Sequence, residues 1–283
     1  MSGQGASSRI LAALGEDGIA RFTISRPDRR NAFTAGMMQA LREHLERLQP
    51  DPSCRVLLLQ GEGACFSAGG DVQEFAQSLP LQAPARLARF QALVENQVNP
   101  VILALRAAHQ PVLAAVRGDC VGYGLSLMLA SDIAIAAEDA VFSTAGIGLA
   151  QPGAGGQSYF LVRALGERRA RELMWSARRF DAHEARALGL IEQVVPVPDF
   201  DVAVAERLAQ LVAGPRHAWA EIKRLLATSG QCATGQETAP DASRLAAQLA
   251  DEAAAFGRCA ATDDFAEAVR AFLERKKPVF RGR

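Results

Sequence analysis

The chain has 283 residues, 49% hydrophobic and 22% charged, enough to bury a full core as one large domain or as a domain with an appendage. Its 31 basic and 31 acidic side chains cancel, so no global field draws it to nucleic acid or to an anionic membrane, and any anionic ligand must be held by local groups. Cys54, Cys65, Cys120, Cys232 and Cys259 are odd in number and never spaced C-x-x-C. They indicate neither a disulfide framework nor a zinc site and read as free thiols in a reducing cytoplasm, with no metal expected.

The first residues, MSGQGASSR, are small and polar and lack the apolar run of a signal peptide, so 1–17 is expected to be a flexible N-terminus. No stretch reaches the ~20 uninterrupted apolar residues of a membrane span. GIARFTIS (18–25) alternates like a half-buried strand, and RPDRRNAF then supplies turn residues. Thr34 is placed to cap a helix over 35–49, whose Met37, Met38, Leu41, Leu45 and Leu48 share one face. RVLLLQG (55–61) suits a strand buried on both faces, and GEGACFSAGGD (61–71) is a Gly-rich loop. A helical stretch over 83–108 contains Pro100 and is expected to be kinked or split.

PVLAAVRG (111–118) is another buried strand, followed by a Gly-punctuated turn into an apolar helix over 122–131, and 132–144 reads as strand, turn, strand. Strands alternating with helices predict an α/β domain with right-handed crossovers. From 156 the pattern is helical, over 156–165, 167–177, 181–188, 199–213, 215–229, 240–257 and 262–275. The division falls near 195, giving a core over 18–195 and a helical C-terminal region over 196–283 that reads as a lid, an oligomer interface, or both.

FSAGGD (66–71) and GDCVGYG (118–124) carry the chemistry. Each is a loop of small residues leading into a helix, which lets a ligand approach backbone N–H groups where the macrodipole favours negative charge. Two such amides aimed at one oxygen make an oxyanion hole. Either loop alone also fits plain turn chemistry, and neither has the spacing of a phosphate-binding fingerprint.

The ordered set RPDRRNAF, GACFSAGGDV, PVLAAVRGDCVGYGLSLMLASDIAIAAEDAVF, PGAGG and RFDAHEARALGLIEQVV resembles the crotonase (enoyl-CoA hydratase/isomerase) superfamily over about residues 18–280. The resemblance implies a ββα spiral core of two roughly perpendicular sheets, a helical C-terminal trimerisation region, homotrimers or dimers of trimers, and an acyl-CoA thioester as substrate. Coenzyme A then enters as part of the substrate, with no prosthetic group. Carried over by position, the oxyanion hole is the backbone N–H of Gly70 and of Tyr123, whose ring departs from the small residue usual there and reads first as a pocket wall. The two hydratase glutamate positions fall at Ser126 and Ala145, and the isomerase-type aspartate position at Gly153. Since STAGIGLAQ (143–151) has no Asp or Glu, the resemblance implies a site without its usual acid and base, and ordinary hydration is not expected.

For coenzyme A, the resemblance points to the RPDRRNA turn with Arg26, Arg29, Arg30 and Ala32, to the SAGGD loop with Ala68 and Asp71, and to Lys276, Lys277 and Phe280 near the chain end. Glu74, Glu95, Arg86 and Arg89 are read as solvated helix charges, and His44, His109, His183 and His217 as surface residues. The expected function is enolate chemistry on an acyl-CoA by an isomerase, decarboxylase or related enzyme. The alternative is a catalytically inactive acyl-CoA-binding or oligomer-partner protein.

Overall fold

The computed structural model describes residues 9–229 and 241–281. Cys232 lies outside them.

The main sheet has six strands. β1 (Arg9–Leu14) runs antiparallel to β2 (Ile19–Ser25), and the sheet continues in parallel through β3 (Val56–Gly61) and β4 (Val112–Val116). β5 (Asp119–Val121) leaves it to start a second sheet, and β6 (Ile133–Ala137) returns beside β4. β7 (Val141–Ser143) and β8 (Phe180–Asp181) complete the small sheet, in the order β5-β7-β8, while β9 (Gln193–Val195) closes the large one beside β6. The run VLLLQG and the fully buried VLAAV make central strands because both faces of the sheet are covered.

On one face lie α1 (Ala35–Leu48), the short α2 (Val72–Ala76), α3 (Ala83–Leu93) and α4 (Asn99–Ala107). Thr34 caps α1 by accepting from Met37 N, and the five apolar residues named from the sequence are its buried ones. The stretch 83–108 is split as Pro100 requires, but the break is a π turn over Val94–Val98 just before it. α5 (Tyr123–Ala130) runs through the core, buried almost all round. α6 (Gln157–Leu165), α7 (Glu167–Ser176) and α8 (Ala182–Ala187) precede β9.

α9 (Phe200–Ala213) covers the other face of the sheet, packing Phe200, Val204, Leu208 and Leu211 on Val56, Leu58, Leu113 and Ile135. α10 (Arg216–Ser229) follows, and α11 (Asp241–Ala260) then lies along α3, with α12 (Asp263–Leu273) beside α2. The helices after 195 therefore build both layers around the sheet instead of standing apart from it.

Two sequence expectations change. Residues 9–14, placed within the flexible 1–17, form the edge strand β1, with all six paired to β2. RILAAL has no strict alternation, so its strand character comes from its partner and not from its own pattern. Arg86 is not a solvated charge: it is 7% exposed and donates to the carbonyls of Leu81, Ala260, Ala261 and Thr262, closing the C-terminal end of α11. No helix among the described residues is long and apolar enough to cross a membrane.

Candidate active site

The loops leaving the carboxyl ends of β2, β3 and β4 converge on a cavity of about 870 Å³, the position where open parallel sheets receive ligands. Asn31 locks the first loop. It is fully buried, its Oδ1 accepts from Arg26 N, and its Nδ2 donates to the carbonyls of Glu62 and Cys65. Ser67 then ties the second loop to the first, donating to Asn31 O while accepting from Gly69 N.

Gly69 sits at φ +95°, and a Cβ there would lie 2.9 Å from Val121 O and 3.4 Å from Tyr123 N. Gly122 holds φ 55°, ψ −119°, a region closed to side-chain-bearing residues, at the turn from β5 into α5. These two glycines let the 67–71 loop and the N-terminus of α5 meet backbone to backbone. Gly70 and Tyr123 both line the cavity. The amide of Gly70 stays out of the bridge made by Phe33 N to Gly69 O and Asp71 N to Phe33 O. The amide of Tyr123 opens the first turn of α5, where an N–H has no partner within the helix.

Ala145 and Gly153 also line the cavity, Ala145 in the left-handed region at φ 58° and Gly153 at φ +89°. Ser126 does not reach it. Its side chain is fully buried, with Oγ donating to Ala154 O at 2.8 Å and accepting from Gln157 Nε2 at 3.2 Å. A hydroxyl held this way is a strut, its proton committed to carbonyls and its oxygen enclosed away from the cavity.

The carboxylates lining the cavity are Asp28, Asp71 and Asp119, and each faces arginine. Asp71 caps α2 through Gln73 N and pairs with Arg26 Nη1 at 2.7 Å, both side chains nearly buried. Asp119 is shared by Arg30 and Arg179. Glu74, read from the sequence as a solvated helix charge, instead accepts from Ala35 N at the start of α1. The Cys65 thiol is pushed up to about 11, mainly by burial, and burial also raises Cys120. Both stay protonated near neutrality.

Of the residues expected at coenzyme A, Arg29, Arg30, Ala32, Ala68, Asp71 and Lys276 line the cavity. Arg26 does not, because its guanidinium is committed to Asp71 and to Ala32 O. Lys277 is exposed away from it, and Phe280 lines a separate cavity beside Trp175 and Ile147. The sequence reading missed Arg179 and Arg275 at the mouth and Gln157 within. Arg179 precedes the short strand β8, and only its pairing with Asp119, sixty positions away, places it there. The inner wall is apolar, with Met38, Phe75, Leu93, Val94, Val98 and Phe256.

Residues 15–283 match the family described as enoyl-CoA hydratase/isomerase. A protein of Rhodobacter capsulatus named probable enoyl-CoA hydratase is 35% identical over 269 residues, which span 94% of this chain and 96% of that one. A 4-chlorobenzoyl coenzyme A dehalogenase of Arthrobacter is 34% identical over 201 residues, spanning 71% of each. Among solved structures, an enoyl-CoA hydratase from Mycobacterium avium subsp. paratuberculosis K-10 superposes with a TM-score of 0.83 at 27% identity, covering 98% of this chain and 99% of the other.

Proposed function

This chain belongs to the enoyl-CoA hydratase/isomerase family, and we propose that it works on an acyl-CoA thioester by holding its enolate on the backbone N–H groups of Gly70 and Tyr123, in isomerase-type, decarboxylase-type or related chemistry and not in hydration. One observation carries the exclusion of hydration. Every carboxylate on the cavity wall is paired with arginine, while position 126 presents a hydroxyl already donated to a carbonyl. Hydration needs a group that takes a proton from water and a group that gives one to carbon, and neither is free on this wall.

Arg29, Arg30 and Arg179, unlike the enclosed Arg26, stay half exposed or more beside their aspartates, and with Arg275 and Lys276 they suit the phosphates of coenzyme A, while the apolar inner wall suits the acyl chain. The thioester oxygen then sits at the meeting of the two loops. Fixed N–H dipoles there lower the energy of the charge that gathers on oxygen, each donor being worth about 3 kcal/mol in comparable sites. Loss of CO2 fits such a wall simply: the electron pair of the breaking C–C bond becomes the enolate, CO2 departs, and solvent returns one proton to the α-carbon. Fold alone does not choose the reaction, as the dehalogenase relative illustrates.

The test is a mass-spectrometric screen of saturated, 2-enoyl, 3-enoyl and malonyl-type CoA thioesters in D2O. Deuterium at the α-carbon, double-bond migration or loss of CO2 is expected for at least one class. Binding of several thioesters with no change in any would replace the enzyme by an acyl-CoA-binding protein, and water addition to the 2-enoyl thioester would overturn the exclusion of hydration.

The same reading includes assembly of the chain into homotrimers or dimers of trimers in the cytoplasm. Trp175, Ile147, Val162 and Phe280, all exposed around the second cavity of about 690 Å³, support an apolar contact between copies.

A further inference from the structure

The two ends of the peptide unit between Gly122 and Tyr123 are treated differently. Its N–H, on Tyr123, opens the first turn of α5 and has no partner within the helix. Its carbonyl, on Gly122, takes two donors: Ser126 N at 3.1 Å, the first bond of α5, and the side-chain Nε2 of Gln157 at 2.7 Å, reaching across from the start of α6. Both lone pairs of that oxygen are thus engaged, one of them by a side chain 35 positions away. Gly122 N donates in turn to Ser143 O at 3.0 Å, so the peptide on the other side is fixed as well.

Gln157 is 1% exposed, and the carbonyl at 122 can only accept, so its nitrogen end must face that oxygen. Nε2 also donates to Ser126 Oγ at 3.2 Å, whose own proton goes to Ala154 O. Oε1 has no hydrogen-bond partner, so the amide is held by its nitrogen alone and keeps that bond at the cost of a desolvated oxygen. Gly153 makes the space, since an added Cβ there would lie 2.7 Å from Oε1. The backbone behind Gln157 is anchored too: Glu252 accepts from Gly156 N and Ser158 N, one residue to either side.

A hydrogen bond on the Gly122 carbonyl acts on the Tyr123 N–H in two ways. The ψ of Gly122, −119°, sets where that N–H points, and a glycine leaves its peptide plane free to turn unless the oxygen is tied. A peptide that accepts at oxygen also donates more strongly at nitrogen, by roughly 10–30% per bond. On the reading above, in which the Tyr123 N–H holds the thioester oxygen, we propose that Gln157 is a positioning residue for that donor. Through this bond it touches no substrate; it aims and strengthens the N–H that does.

Infrared difference spectra of butyryl-CoA labelled with 13C at its thioester carbonyl, bound to the whole protein, test this. The unmodified protein should lower the carbonyl band below its position in water, and Gln157→Met should give back at least roughly 10% of that lowering while still binding the thioester. A lowered band that Gln157→Met leaves in place would overturn the inference and leave the oxyanion reading standing. Binding without any lowering in the unmodified protein, or no binding, would remove that reading and this inference with it. A second measurement needs no variant. The chain has two tyrosines, Tyr123 and Tyr159, and only Tyr123 follows a glycine, so glycine 13C-carbonyl and tyrosine 15N labels together give one resonance, from this peptide. Its carbonyl carbon should lie downfield of ordinary glycine carbonyls, as a doubly bonded oxygen requires; an ordinary position would overturn the inference even if Gln157→Met does not fold.

Discussion

At the scale of single residues, Gly69 sets how closely the two loops of the candidate site approach each other. Its φ of +95° and the 2.9 Å from an added Cβ to the backbone carbonyl of Val121 leave no room for a methyl group between the two loops. Gly69→Ala should therefore cut turnover of whichever thioester reacts by about 100-fold or more, the loss reported for one oxyanion donor, with coenzyme A affinity little changed. Single-turnover rates set beside binding constants check this; equal losses in both would point to general misfolding. The sequence made the two Gly-rich loops that line the cavity legible, because glycines at turns announce themselves. Side-chain assignments fared unevenly. Arg26 looked free for phosphate because Asp71, its buried partner, is 45 residues distant in the chain. Gln157 carried no charge to draw attention, and its orphaned oxygen exists only once Gly122, Ser126 and Gly153 surround it.

At the scale of elements, α11 holds α6 in place through one carboxylate. Glu252, 6% exposed, accepts from Gly156 N at 2.6 Å, from Ser158 N at 3.0 Å and from Ser158 Oγ at 2.7 Å, so a side chain of one helix caps the N-terminus of another. Burial raises its pKa above the ordinary glutamate value against the pull of those donors. The folded state thus keeps a proton that the unfolded chain has released, and stability falls as pH rises from the ordinary value through the raised one, then levels off. Glu252→Gln should flatten this part of the slope, which denaturant melts from pH 4 to pH 8 would reveal; an unchanged slope would exclude Glu252 as its source. Helical periodicity marked α6 and α11 separately. It could not mark the tether, because 94 residues separate Ser158 from Glu252. The π turn over Val94–Val98 escaped for a related reason: Pro100 announces a break, but where the extra residue is absorbed depends on α1, α4 and α11 packed around it.

At the scale of the molecule, the alternation of strands and helices gave the parallel sheet and its layers, since buried runs such as VLLLQG and VLAAV permit little else. What lay beyond reach was how the late helices close over the sheet, a matter of contacts among distant segments. The proposed assembly is tested at this scale. Sedimentation equilibrium should give a particle of three or six chains, and a concentration-independent single chain would refute it.

The edge strand sets a different boundary. The family match begins at residue 15, after β1 has ended at Leu14. A chain trimmed to the match would keep every cavity residue, yet it would bare the outer hydrogen-bonding groups of β2 along six positions, with Phe22 and Ile24 nearby. An uncovered, flat edge of that kind recruits strands from other molecules. The segment that adds nothing to the chemistry is thus a guard, and its worth is counted in solubility.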